Sequence, residues 1–87
     1  MSIRVHLPAL GHLTGGKGEV VAEGATVAEL IRDLDRRHPG IRFRIVDEQD
    51  RMRPHVRFFV DGEQVFDIGQ RLEAGHSVQI VQALSGG

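Results

Sequence analysis

Apolar residues recur along this chain with two different periods, and the switches between them mark out the elements. Ile3, Val5 and Leu7 alternate with Arg4 and His6, which is the period-two pattern of a half-buried strand. Pro8 ends that strand. Residues 8–18 then hold four glycines and read as a flexible loop, with Leu10 and Leu13 pinning it to the body. Residues 19–22 read as a second strand, followed by a turn at Glu23-Gly24-Ala25. At Thr26 the period changes. Thr26-Val27-Ala28-Glu29 is a capping box, in which the Thr26 hydroxyl accepts from the Glu29 amide and the Glu29 carboxylate reaches back to the Thr26 amide. Val27, Leu30, Ile31 and Leu34 follow at helical spacing as one apolar stripe, and Pro39-Gly40 stops the helix after His38.

The second half returns to period two. Ile41, Phe43 and Ile45 alternate, but the segment is short and follows a helix, so it reads as irregular or as a short helical turn with an apolar anchor. Residues 47–54 form a polar loop. Val56, Phe58 and Val60 predict a strand, Asp61-Gly62 a hairpin turn, and residues 64–66 a short return strand. Glu73-Ala74-Gly75-His76 turns into a last strand over residues 78–82, which is β-branched enough to read as buried. The order is β-β-α-β-β-β. One helical stripe covers one face of one mixed sheet, and the two terminal strands, being the most apolar, belong side by side in its middle. The expected core is Val5, Val27, Leu30, Ile31, Leu34, Val60, Leu72, Val78 and Ile80.

With 87 residues the chain is expected to form a single domain over residues 1–87, with a flexible C-terminal tail at 83–87. It has no apolar run long enough for a membrane span and no signal-peptide core, so the expected location is cytoplasmic, without membrane contact. It has no cysteine, which excludes disulfides, thiolate metal sites and a cysteine nucleophile. Net charge is −1, against a general nucleic-acid binder. The charge is uneven, however. Residues 36–57 carry seven arginines against Asp47, Glu48 and Asp50, leaving +4 there and −5 in the rest of the chain. A solvated face with local ion pairs is the plain reading, and a docking face for an acidic partner the sharper one.

The chemistry-bearing motifs are few. Gly11-His12-Leu13-Thr14-Gly15-Gly16-Lys17-Gly18 nearly matches a phosphate-binding loop, but Gly18 replaces the metal-binding hydroxyl and a strand follows where a helix is needed. The five histidines show no metal-ligand spacing, Asp33 and Asp35 look solvated on the helix, and no base stands near Ser85. No metal site and no catalytic site assemble. The remaining feature is the end of the chain, Leu84-Ser85-Gly86-Gly87. A glycine pair carries no Cβ and lies flat in a channel too narrow for side chains.

The capped helix, Val60-Asp61-Gly62-Glu63-Gln64-Val65, Leu72-Glu73-Ala74-Gly75-His76-Ser77-Val78 and the terminal Gly86-Gly87 together resemble the ubiquitin-like sulfur carriers of the ThiS/MoaD type. His76 stands where that family usually has an acidic residue. The resemblance covers the whole chain. It implies an α+β, β-grasp (ubiquitin-like) fold: a mixed sheet with one main helix packed on one face. It also implies a carrier and not an enzyme. An E1-like adenylyltransferase/sulfurtransferase would use ATP to adenylate Gly87, and a sulfur donor would convert the acyl-adenylate to a thiocarboxylate. Leu84, Ser85 and Gly86 would occupy the partner's channel, and no cofactor would be bound by the carrier itself. Arg53, Arg57 and Phe59 are the candidate docking face. The glycine-rich loop looks most like carriers for thiocarboxylate-dependent cysteine synthesis, with a cysteine-synthase-like acceptor and a releasing metalloprotease. The alternatives are a small subunit of molybdopterin synthase, partnered by the large subunit, and a ubiquitin-like protein modifier or interaction module.

Overall fold

A computed structural model describes residues 2–82 of the chain. Five strands form one sheet: β1 (Ser2–His6), β2 (Glu19–Glu23), β3 (Val56–Val60), β4 (Glu63–Val65) and β5 (Ser77–Gln82). Their order across the sheet is β2-β1-β5-β3-β4. β1 and β5 run parallel, with Val5 beside Val78, and every other pairing is antiparallel. The two terminal strands do lie side by side, with β5 in the centre. The helix α1 spans Val27–Arg37, and a second, short helix α2 spans Ile41–Ile45.

The strand alternation decides which side is covered. Ile3, Val5, Val20, Ala22, Phe58, Val60, Val78 and Ile80 point inward and are buried. α1 turns Val27, Leu30, Ile31 and Leu34 to the same core, and all nine residues expected there belong to one buried cluster. In α2, Ile41 and Ile45 are buried one turn apart while Phe43 is exposed, so helical spacing replaces the apparent alternation. β5 is buried on its inner face, where Val78 and Ile80 join the core as expected, while Val81 points outward, so the reading of the strand as buried holds for one face only. β4 stops at Val65, and Phe66 leaves the sheet exposed instead of extending the strand.

Local hydrogen bonding departs from the sequence reading at three places. The Thr26 hydroxyl caps α1 by accepting from the Glu29 amide at 3.2 Å, but the Glu29 carboxylate accepts from the amide of Ala25, not Thr26. The next amides of the helix find backbone partners: Val27 donates to the Gln70 carbonyl at 3.0 Å and Ala28 to that of Ile68 at 2.8 Å. The 67–72 segment is thereby laced to the start of α1. Second, residues 8–18, read as a flexible loop, form a 3-10 segment and a set of local hydrogen bonds. Pro8–Leu13 is a 3-10 segment, and the buried Thr14 hydroxyl lies within reach of the Gly11 and Lys17 carbonyls. The Thr14 and Gly16 amides both donate to the Gly11 carbonyl. Those amides are therefore committed and do not form a phosphate cradle. Third, Asp33 and Asp35 are engaged rather than solvated. Asp35 accepts from the amides of Gly40 and Arg42, each at 3.1 Å, and so fixes the corner between α1 and α2.

In the turn before β5, histidine stands at the position where the resemblance expects an acidic residue. The His76 Nδ1 accepts from the Glu73 amide at 3.1 Å, supplying the acceptor that a carboxylate would. Asp61 and Ser77 hold the two turns together, the Ser77 amide donating to the Asp61 carboxylate and the Asp61 amide to the Ser77 carbonyl, both at 2.8 Å. Asp61 and Gly62 both have positive φ, +49° and +87°, as a two-residue hairpin turn of this hand requires.

Candidate functional site

The site expected from the sequence has a chain end and a surface around its root. Leu84, Ser85, Gly86 and Gly87 lie outside the described residues, so the geometry concerns what leads up to them. β5 is bonded to β1 on one side and β3 on the other. Val78 and Ile80 anchor it in the core. A central strand held on both edges fixes the position and direction of its last residue, Gln82, which sits opposite Val56 at the start of β3.

Two surfaces flank that point. The first is the outer face of the sheet, which α1 does not cover. Arg57 pairs with Val81 and Phe59 with Gln79, so both candidate residues stand on this face next to β5. Phe59 is half-buried, and Val81 beside it is 43% exposed. Val81 belongs with this face and was not among the expected docking residues, because its β-branched strand read as buried. The alternation Ser77, Gln79, Val81 against Val78, Ile80 was the available signal. Arg53 is not part of the sheet face. It precedes β3, and its Nε donates to the Phe43 carbonyl on α2, so it takes part in the second surface, while it also lines a cleft with Arg57, Gln64 and Phe66.

That second surface is a cleft of about 460 Å³ lined by Phe43, Arg44, Arg53, His55 and Gln82. It opens at the end of β5, on the α2 side. Phe43 is 58% exposed at its edge.

The arginine-rich segment divides into two groups. Arg36 and Arg37 pair with Asp33, Arg42 with Asp50, and Arg51 with Asp47. Burial works against the charge on Asp33, but the Glu23 amide and the Arg36 and Arg37 guanidiniums outweigh it, and its carboxyl is lowered to about 2. The Arg51 amide is the main cause holding the Asp47 carboxyl below its ordinary value, helped by the Gln49 amide and the Arg51 charge and opposed by burial. These four arginines satisfy the local-pair reading. Arg44, Arg53 and Arg57 have no carboxylate within ion-pair distance among the described residues, and all three stand around the end of β5. Arg57 is steadied by donation to the Pro54 carbonyl.

Among the described residues no cluster of His, Asp or Glu forms a metal site, and no helix is long and apolar enough to cross a membrane.

Comparison with known proteins agrees with this geometry. The model of the ThiS family matches residues 9–87. The sulfur carrier protein CysO of Mycobacterium tuberculosis is 34% identical over 93 aligned residues, covering 100% of both chains, and the Mycobacterium bovis protein of the same name matches equally. In the crystal structure of the Amycolatopsis orientalis BexX/CysO complex, a chain 32% identical superposes with a TM-score of 0.90, covering 98% of this chain and 99% of that one. Small archaeal modifier protein 1 from Haloferax volcanii, 23% identical with a TM-score of 0.83 over 100% of both chains, shares the fold. With its β-grasp sheet, its centrally held β5 and a family match that runs from the 3-10 segment to Gly87, the chain belongs to the ThiS family of ubiquitin-like sulfur carriers.

Proposed function

We propose that this carrier holds sulfur on the terminal carboxylate of Gly87 and delivers it to the synthesis of cysteine. The observation that supports the reading most strongly is β5, a strand locked between two neighbours that fixes the position of Gln82, the residue from which the 83–87 segment continues. A carboxylate is a poor electrophile. Reaction with ATP on an E1-like enzyme gives the acyl-adenylate and pyrophosphate. A hydrosulfide equivalent from a sulfur donor then attacks the acyl carbon, the C–O bond to AMP breaks, and the thiocarboxylate forms with release of AMP and a proton. The thiocarboxylate is the better nucleophile and is the form handed to the acceptor. A cysteine-synthase-like acceptor and a metalloprotease that frees the amino acid complete the proposal. The relatives that match over the full chain are CysO carriers, which favours this acceptor over molybdopterin synthase. The protein acts as a co-substrate, and ATP enters only on its partner. A partner that draws on ATP supports a cytoplasmic location.

Gly86 and Gly87 would lie in the activating enzyme's channel, preceded by Leu84 and Ser85, while Arg57 and Phe59 of the outer sheet face dock beside it. The test is ATP–pyrophosphate exchange with the cognate activating enzyme, alongside circular dichroism. Deleting Gly87 withdraws the carboxylate by one residue, roughly 3.5 Å, and should abolish exchange with the fold intact. Mass spectrometry of protein from its own host should show one terminal oxygen replaced by sulfur. Exchange by the deleted chain at the intact chain's rate would overturn the reading.

A further inference from the structure

The cleft on the α2 side of the β5 end has a composition that the docking face on the sheet does not explain. Phe43 and Arg44 come from α2, Arg53 and His55 from the run into β3, and Gln82 is the last described residue of β5. α2 has one turn, yet it is held firmly. Ile41 and Ile45 are buried in the core, and the Asp35 carboxylate accepts from the Arg42 amide. The buried pair leaves Phe43 on the opposite side of the helix, in solvent. The Arg53 guanidinium is oriented by its bond to the Phe43 carbonyl, which holds the cation against the backbone of the residue that carries the exposed ring. Neither Arg44 nor Arg53 has a carboxylate partner among the described residues, although four neighbouring arginines of the same segment do. A cation left unpaired beside an exposed aromatic ring, on a rigid support, is the composition of an interface anchor.

We infer that this cleft is a second docking surface, which receives an acidic segment at the mouth of the activating enzyme's channel. The inference rests on the proposed function, because it requires residues 83–87 to enter such a channel. Continuity then follows from geometry: an enzyme that takes the chain in just past Gln82 must cover what surrounds Gln82. The occupant is acidic because the cleft presents Arg44 and Arg53 with no counter-charge in its lining. It carries an apolar residue or pocket for Phe43. The nucleotide is not the occupant. Five residues at full extension span about 17 Å, so with the chain drawn into a channel these arginines stay at its mouth, remote from the reacting carboxylate. They therefore act on association and not on the chemical step. Together with Arg57, Phe59 and Val81 on the sheet, the cleft would grip the root of the tail from both sides.

The experiment is ATP–pyrophosphate exchange by the cognate activating enzyme, with the full-length carrier as varied substrate, at low and at physiological salt. Arg44→Glu and Phe43→Ala are exposed changes that leave the core intact, and circular dichroism checks this. Arg44→Glu should raise KM for the carrier about tenfold or more at low salt, with kcat within about twofold, and should flatten the rise of KM with salt. Phe43→Ala should raise KM without altering the salt dependence. Arg71→Glu, an exposed charge reversal away from the cleft, should change neither. If the intact chain is activated and the Gly87 deletion is not, while Arg44→Glu and Phe43→Ala keep the intact chain's KM, the cleft is not a docking surface and the sulfur-carrier reading stands. If the Gly87 deletion is activated normally, both fall. A loss of kcat at unchanged KM would also overturn the inference, because it would place these residues in the chemistry.

Discussion

Replacing Gly24 by alanine should be among the most damaging single-atom additions to this protein. Gly24 sits between β2 and the capped start of α1. A Cβ built there would lie 2.5 Å from the Leu30 nitrogen, and 2.9 Å from both the Glu29 carbonyl carbon and the Leu30 Cα. Non-bonded heavy atoms of this kind rest at about 3.5–4.0 Å, so one side must move by roughly 1 Å. All three neighbours are backbone atoms of the first turns of α1, and no side-chain rotation relieves the clash. The helix is also tied where it would have to give, by the Val27 and Ala28 amides and by the Glu23 amide on Asp33. Overpacking of this kind costs about 1–3 kcal/mol, and one broken hydrogen bond adds about 1. Stiffening of the unfolded chain by alanine returns about 0.4–1 kcal/mol. The net loss should be about 1–3.5 kcal/mol, which lowers Tm by roughly 5–25 °C in a domain this small. Urea unfolding followed by circular dichroism measures it, with an unchanged m-value as the check on a two-state comparison. Gly62→Ala is the control. Its Cβ would enter open space and meet only the cost of positive φ, about 1–2 kcal/mol. A loss at Gly24 below about 0.5 kcal/mol would refute the close-approach argument.

Leu30→Ala should cost about 2–5 kcal/mol, since Leu30 is fully buried under the sheet, and a loss below about 0.5 kcal/mol in the same unfolding assay would contradict the assigned helix face. Asp33→Asn should destabilise by about 1 kcal/mol near neutral pH, after allowance for solvent screening of its arginine partners. The Asp33 carboxyl titrates lower in the folded chain than in the unfolded one, so its contribution is present above about pH 4 and lost as pH falls from 4 toward 2. Unfolding curves of both proteins should therefore converge on acidification; a constant gap would show that the shift carries no stability. Arg57→Glu together with Phe59→Ser should weaken binding to the activating enzyme, most strongly at low salt, with little change in Tm. Unchanged affinity at low salt would return the sheet face to simple solvation.

Local pattern carried much of this protein because several of its decisions are local. The stripe Val27, Leu30, Ile31, Leu34 has one way to face a core, Thr26 can cap only the helix that follows it, and Asp61-Gly62 tolerates the positive φ its hairpin needs. The central pairing of β1 with β5 also followed, since the two most apolar strands belong where burial is greatest. The reading of Gly87 as the working end rested on the family resemblance, and not on periodicity.

Tertiary structure decided the rest. Residues 67–72 show no periodicity, because they are bound through backbone carbonyls and amides to the start of α1, and backbone groups leave no trace in residue identity. On the short helical turn that the sequence allowed for residues 41–45, the side opposite Ile41 and Ile45 belongs to Phe43. It faces solvent because the α1–α2 corner, fixed by Asp35, sets a helical twist on that segment. The strand of Val81 read as buried, yet Val81 is surface, because α1 covers only one side of the sheet. Composition shows that seven arginines are close in sequence, but not which are neutralised. Four meet carboxylates brought near by helix spacing or loop closure, while Arg44, Arg53 and Arg57 are carried to the end of β5, where none is in reach among the described residues. Charge pairing depends on distances of a few ångströms between segments, and only the folded chain sets those distances.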